Sequence, residues 1–179
     1  GINPDWWDLA DLHIEWLVAQ GLVPCIFGSW GYYLPWMGVE RLKRHWREMI
    51  ARWGAYPVVW CLAGEGAMPY YLADDRDEAV RVQREGWTEV GRYVQEVDPF
   101  DRLVTIHPTR RGREQVEDDS ELDFEMLQTG HGGRKSLPNT VQAVTEGRAE
   151  QPTMPVINGE VSYEGIMETC REEVQRMMF

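Results

Sequence analysis

Apolar residues recur along this chain in two rhythms that alternate, one helical and one continuous. Trp6, Leu9, Leu12 (or His13), Trp16 and Leu17 fall at helical spacing and predict a helix over 5–20 closed by Gly21. The run LVPCIFGSW, 22–30, is short and almost wholly apolar, which predicts a strand buried on both faces. Val39, Leu42, Trp46, Met49, Ile50 and Trp53 return to helical spacing over 39–53, with Gly54 as the stop. PVVWCLAGE, 57–65, predicts the next strand, and Val80, Trp87, Gly91 and Val94 mark one face of a long helix over about 78–97. RLVTIHP (102–108) and LDFEMLQTG (122–130) predict two strands with no helical pattern between 108 and 121. A helix over 137–150, the strand MPVING from 154 and a last helix over about 164–178 complete the series.

Buried strands alternating with amphipathic helices imply a parallel sheet wrapped by helices, an α/β fold. No strand is followed by a glycine-rich phosphate turn, which argues against a dinucleotide-binding domain. The remaining common solution is a (β/α)8 barrel, and five strands are too few to close one. The chain therefore reads as a single partial TIM barrel over 1–179, holding the third to seventh strands. Its start, close to a helix and without an initiator Met, and its end, still helical in CREEVQRMMF, fit the same reading of a piece of a longer protein.

Polar groups stand where each apolar run stops. In order they are Ser29 and Trp30, Glu65, His107, Gln128 and His131, then Asn158 and Glu160. In barrels of this kind the working residues project from the carboxyl ends of the strands. Two runs end alike: Gly64 precedes Glu65 and Gly159 precedes Glu160. Glycine there lets the chain bend and another group approach closely. Paired carboxylates facing each other across a barrel mouth suit glycoside hydrolysis, which needs a proton donor and a second carboxylate at the anomeric carbon. The bland reading makes both solvated loop acids in a chain with 30 acidic residues.

The loop GSWGYYLPWMG, 28–38, gathers Trp30, Tyr32, Tyr33 and Trp36, with Tyr70 and Tyr71 behind Glu65. Flat rings with polar rims suit the faces of a sugar ring; equally, they could roof the barrel. His107 and His131 fit three roles: partners for substrate or a catalytic acid, structural histidines, or metal ligands. His13 and His45 lie on helical segments and read as structural. The acid-rich REQVEDDSELD, 113–123, reads as a solvated loop.

Composition narrows the partners. A net charge of −12 opposes binding to a phosphate backbone, so no nucleic acid is expected. No apolar run approaches a membrane span, and no basic-then-apolar signal segment opens the chain. Cys25 and Cys61 lie in apolar runs and read as small buried thiols, while Cys170 lies near the end.

The stretches VPCIFGSWGYYLPWMG, YPVVWCLAGE, TIHPT, LDFEMLQTGH and MPVINGEVSYEG together resemble the apiosidase-like glycoside hydrolase family, across essentially the whole chain. The resemblance implies a TIM barrel of bacterial carbohydrate-degrading systems, releasing apiose from pectic polysaccharide. It implies an acid/base after the fourth barrel strand, at Glu65, and a nucleophile after the seventh, at Glu160. Trp30, Tyr32, Tyr33, Trp36, His107, Gln128, His131, Asn158 and Tyr163 are then the expected contacts to a carbohydrate substrate. Neither cofactor nor metal is expected. The resemblance also implies a periplasmic or secreted setting, the missing barrel strands and a C-terminal accessory domain. Two other classes remain open at this point: a non-catalytic carbohydrate-binding module keeping the aromatic loop, and a metal-dependent TIM-barrel hydrolase using the histidines.

Overall fold

Residues 3–165 are described in a computed structural model of the protein, and their helices form for local reasons. Helix α1, Pro4–Ala19, starts with the Asn3 side chain accepting the Asp5 N–H, and with proline in the first turn. Strand β1, Cys25–Phe27, leads into a short helix α2, Tyr33–Met37, inside the segment predicted as an aromatic loop. Helix α3, Val39–Trp53, has the predicted bounds and buries Leu42, Trp46, Met49, Ile50 and Trp53 on one face. After strand β2, Val59–Cys61, comes α4, Arg76–Val97, capped by Asp75 accepting the Glu78 N–H. Strand β3, Val104–Thr105, is followed by two 3-10 turns, Gly112–Gln115 and Asp119–Glu121. Strand β4, Glu125–Gln128, a further 3-10 turn, helix α5, Leu137–Ala149, and strand β5, Val156–Glu160, complete the order. The helix predicted over 164–178 and Cys170 lie outside the described residues from 166 onward.

All strand pairings are parallel. A three-stranded sheet runs β1-β2-β3 and a two-stranded sheet pairs β4 with β5. The two meet through one backbone and two side-chain hydrogen bonds that stand in for a ladder. Asp123 Oδ2 accepts the Val104 N–H at 2.6 Å, the Asp123 N–H donates to the Val104 carbonyl, and the Thr105 hydroxyl donates to the Phe124 carbonyl at 2.9 Å. The core lies between the three-stranded sheet and α3 and α4. Trp46 meets Trp60 edge-on at 5.7 Å, and Trp87, Val90, Val94, Leu62 and Ile106 are fully buried around them.

Four expectations need correcting. Helix α1 has the predicted bounds within a residue, but it buries Trp7, whereas Trp6, Leu9, Leu12 and Trp16 face outward. Asp11 explains the rotation. It accepts from both the Trp53 indole and Arg52, and so holds the Trp7 face against α3. Strand β1 is not buried on both faces: Ile26 is buried while Cys25 and Phe27 are exposed, because among the described residues β1 pairs only with β2. The Cys25 thiol is therefore not a buried one. Cys61 is buried, and burial pushes its thiol well above the usual value.

The acid-rich segment 113–123 is also not simply solvated. Arg113, Gln115, Val116, Glu121 and Leu122 are buried. Its charges are spent internally, with Glu121 accepting from Arg92 and Arg113 donating to Asp119, both at 2.8 Å. Beneath it Glu125, with no exposed surface, receives Arg111 in a bidentate pair at 2.9 Å. Arg111 also donates to Glu150. Ion pairs and 3-10 turns thus cover β3 and β4 where no helix forms.

Removing one member of a buried pair leaves the other charge without its partner, which costs about 3–5 kcal/mol. Glu125→Ala is expected to lose about 3 kcal/mol in urea unfolding, and Arg111→Met with Glu125→Leu to recover most of it. A loss below about 1 kcal/mol for Glu125→Ala would show the pair to be dispensable.

Candidate active site

The strands end on a common rim because all of them run the same way, and the side chains just past their ends converge there. Glu160 closes β5 and lies in register with Gln128 at the end of β4, across a bulge between Leu127 and Gln128. Two histidines and a tyrosine surround its carboxylate. His107, just beyond β3, brings Nε2 to 2.9 Å from Oε2. His131, beyond β4, brings Nε2 to 3.0 Å from Oε1, and the Tyr163 hydroxyl donates to the same Oε1. The His131 and Tyr163 rings stack at 4.4 Å and 22°, which sets the two groups facing Oε1 side by side. His131 Nδ1 lies 3.2 Å from the Val161 carbonyl, so the ring donates both there and to Oε1 only when doubly protonated.

His107 is 6% exposed, and its Nδ1 has no hydrogen-bond partner. Burial pushes its imidazole below the usual histidine value, against the upward pull of the Glu160 and Glu65 charges. The neutral ring therefore carries its proton on Nε2 and donates to Glu160. Hydrogen bonding to Glu160, together with burial and the charges of Glu160 and Glu65, raises the Tyr163 phenol. The Glu65 charge thus reaches both His107 and Tyr163, while the cavity at this rim is lined by Gly64 and Glu160 and not by Glu65 itself.

Glu65 follows β2 in a left-handed backbone conformation, φ +47°. For a residue other than glycine this costs on the order of 1 kcal/mol and persists only where neighbours over-determine it. Those neighbours are visible. The Gly64 N–H donates to the Ser29 carbonyl, the Gly66 N–H to the His107 carbonyl, and the Trp87 indole to the Gly66 carbonyl. Gly64 is needed for close approach rather than for its φ: a Cβ there would stand 3.0 Å from the Trp30 ring. Gly159 is alike, since a Cβ would meet Met126 at 2.7 Å.

A cavity of about 760 Å³ opens at this rim. Among its lining residues are Trp30, Tyr33, His107, Glu160 and Tyr163, with Phe27, Ser29 and Met126. Trp30 is about half exposed, at 47%. Tyr32 and Trp36 stand behind Tyr33, with ring centres 4.9 and 5.8 Å from it, and Tyr70 closes the cluster against Trp36 at 4.7 Å. Trp36 is 55% exposed, so this cluster is not part of the core. Gln128 has a buried Oε1 without a partner and does not line the cavity. Asn158 is engaged instead. Its amide, oriented to satisfy its neighbours, accepts from the Thr129 hydroxyl and donates to the Leu127 and Glu160 carbonyls. Both imidazole Nε2 atoms are turned to Glu160, and among the described residues no three His, Cys, Asp or Glu side chains form a metal-ligating group.

Phe27 and Met126 line the cavity without having been singled out in the sequence. Neither CIF, which is wholly apolar, nor EMLQ carries a polar-apolar alternation that would have marked them.

The sequence matches the family model described as "Apiosidase-like, catalytic domain" over residues 1–179. The chain belongs to the apiosidase-like catalytic-domain family. Among solved structures, this apiosidase-like domain is similar to the β-glucuronidase of Bifidobacterium dentium complexed with coumarin-3-O-glucuronide. The TM-score is 0.58 at 21% identity, over 92% of this chain and 29% of that one. It is also similar to the β-glucuronidase of Ruminococcus gnavus in complex with uronic isofagomine, with TM-score 0.51 at 16% identity, over 78% of this chain and 25% of that one. At these identities the likeness is one of fold, and the apiosidase-like chain spans under a third of either structure's length. No curated protein sequence matches it.

The state of His107 gives a stability test. Below pH about 6.5 the unfolded chain takes up a proton that the folded chain refuses, because the folded value is the lower one. Stability should therefore fall as pH drops from about 6.5 to the folded value, by at most about 1.4 kcal/mol per pH unit, and this component should level off below it. In His107→Gln, which keeps a donor for Glu160, that component of the pH dependence should vanish. Equal slopes in the two proteins would contradict it.

Proposed function

We propose that this chain supplies the third to seventh strands of a (β/α)8 barrel and that its rim hydrolyses O-glycosidic bonds with retention of configuration. The observation that carries the reading is the Glu160 carboxylate, held by His107, His131 and Tyr163 at the wall of an aromatic-lined cavity, with Glu65 just past the end of β2. Three polar neighbours fix the plane of this carboxylate, which attack on an anomeric carbon needs and mere sugar binding does not. Oε1 takes two of the donors and Oε2 one, which leaves Oε2 with the freer lone pair for attack.

In the first step a Glu160 oxygen forms a bond to the anomeric carbon as the bond to the leaving oxygen breaks, and Glu65 gives that oxygen its proton. In the second, Glu65 takes a proton from water, the water oxygen bonds to the same carbon, and Glu160 leaves. Trp30 and Tyr33 offer faces to the sugar. The family membership supports plant or microbial polysaccharide as the substrate class, with apiose in pectic polysaccharide as the specific case. The strands that would close the barrel, and an accessory domain, would come from flanking sequence.

In the full-length natural chain, Glu160→Ala should lower kcat by about 10⁴-fold or more on every substrate. Glu65→Ala should spare the first step for activated aryl glycosides, and azide should then trap a glycosyl azide of retained configuration. Proton NMR of the first-formed anomer reads the stereochemistry. An inverted product, or an active Glu160→Ala enzyme, refutes the assignment.

A further inference from the structure

We propose that Gln115, outside the cavity and in the connection that sequence marks only as acid-rich, positions Glu65 for proton transfer. The inference rests on the acid/base reading of Glu65. Gln115 sits in the first 3-10 turn after β3 and is 3% exposed. Its Oε1 accepts the Ala67 N–H at 2.8 Å, and its Nε2 donates to the Arg111 carbonyl at 3.1 Å. Its Cβ packs against Gly66, where an added Cβ would stand only 3.2 Å away. The amide therefore ties the segment just past Glu65 to the β3–β4 connection.

That tie completes a set. Ahead of Glu65, Gly64 is bonded on both sides, its N–H to the Ser29 carbonyl and its carbonyl from the Gly31 N–H, each at 2.8 Å. Behind it, Gly66 is bonded to the His107 carbonyl at 3.0 Å and receives the Trp87 indole at 2.9 Å. Ala67 is the next residue, and its N–H has Gln115 as partner. Glu65 lies between these anchors at φ +47°, where relaxation to an ordinary backbone angle would swing the carboxyl away from its present direction. Only Gln115 among these anchors is a side chain supplied by the connection after β3. Gly66 is joined to the backbone of His107, so one turn of chain is tied both to the carrier of Glu65 and to a holder of Glu160. Misplacing a proton donor slows only those bond cleavages that need the proton.

The test uses the full-length natural chain with phenyl and 2,4-dinitrophenyl apiofuranosides, one leaving group that needs a proton and one that does not. Gln115→Met keeps the side-chain length and removes both hydrogen bonds. It should lower kcat/KM for the phenyl glycoside by about tenfold or more while changing the dinitrophenyl value by less than about threefold. Gln115→Glu, which keeps an oxygen for the Ala67 N–H, should narrow that spread again. If Gln115→Met does not accumulate folded, Gln115→Asn, too short to reach Ala67, is expected to show the same spread. A drop equal for both substrates, or a lowered melting temperature with no spread, overturns the inference and leaves Gln115 a structural residue. Glu65→Ala, measured alongside, separates the two levels. If Glu65→Ala itself gives no spread, the acid/base reading falls and this inference with it; if it does and Gln115→Met does not, this inference alone falls.

Discussion

The contact between His107 and Glu160 runs from the end of one sheet to the end of the other, and the site is organised around it. It exists because every strand runs in the same direction, so residues that follow β3, β4 and β5 emerge on one rim. Burial at the strand end lowers the His107 value and so favours the neutral ring, whose proton on Nε2 is directed at Glu160. The donors on Oε1, stacked His131 and Tyr163, extend the same logic to the other side of Glu160.

Polar groups also carry the structure where regular elements fail. Between β3 and β4 no helix covers the sheet, and the gap is closed by Asp123 bonding Val104, by Arg111 bonding Glu125 and by two 3-10 turns. This arrangement has a geometric consequence that a helix would not. A 3-10 turn brings Gln115 within reach of the backbone beyond Glu65, whereas a helix on the outer face of the sheet would stand away from the rim. Strain at Glu65 and irregularity at 112–121 thus belong to one design, in which a bent backbone on one connection is held by an irregular one on the next.

Much of this was legible in the chain. Helix α3 has the bounds that its apolar spacing predicts, because Leu42, Trp46, Met49, Ile50 and Trp53 must all turn to one side of a helix. The strands appear where the apolar runs stand, although shorter, since only a few residues of each run pair with a neighbour. The glycines ahead of the two acids were legible as points of close approach, and Trp30 and Met126 are the groups that approach. The face of α1 was not legible. Trp6, Leu9, Leu12 and Trp16 satisfy helical spacing as well as Trp7 and Ile14 do, and hydrogen bonds from distant Arg52 and Trp53 to Asp11 decide between them.

The sequence by itself determined the rhythm of strand and helix, and with it the placing of Glu65, His107, His131 and Glu160 at strand ends, because period and burial are properties of neighbours along the chain. Tertiary structure alone decided which of those groups touch. It joined two histidines and a tyrosine to Glu160, left Asn158 bound to Thr129 and the Gln128 oxygen buried without a partner, and turned Glu65 into a left-handed backbone angle. The reason is physical. A side chain's hydrogen-bond partner depends on register, bulge and twist, and these are fixed only when segments far apart in the chain pack against one another.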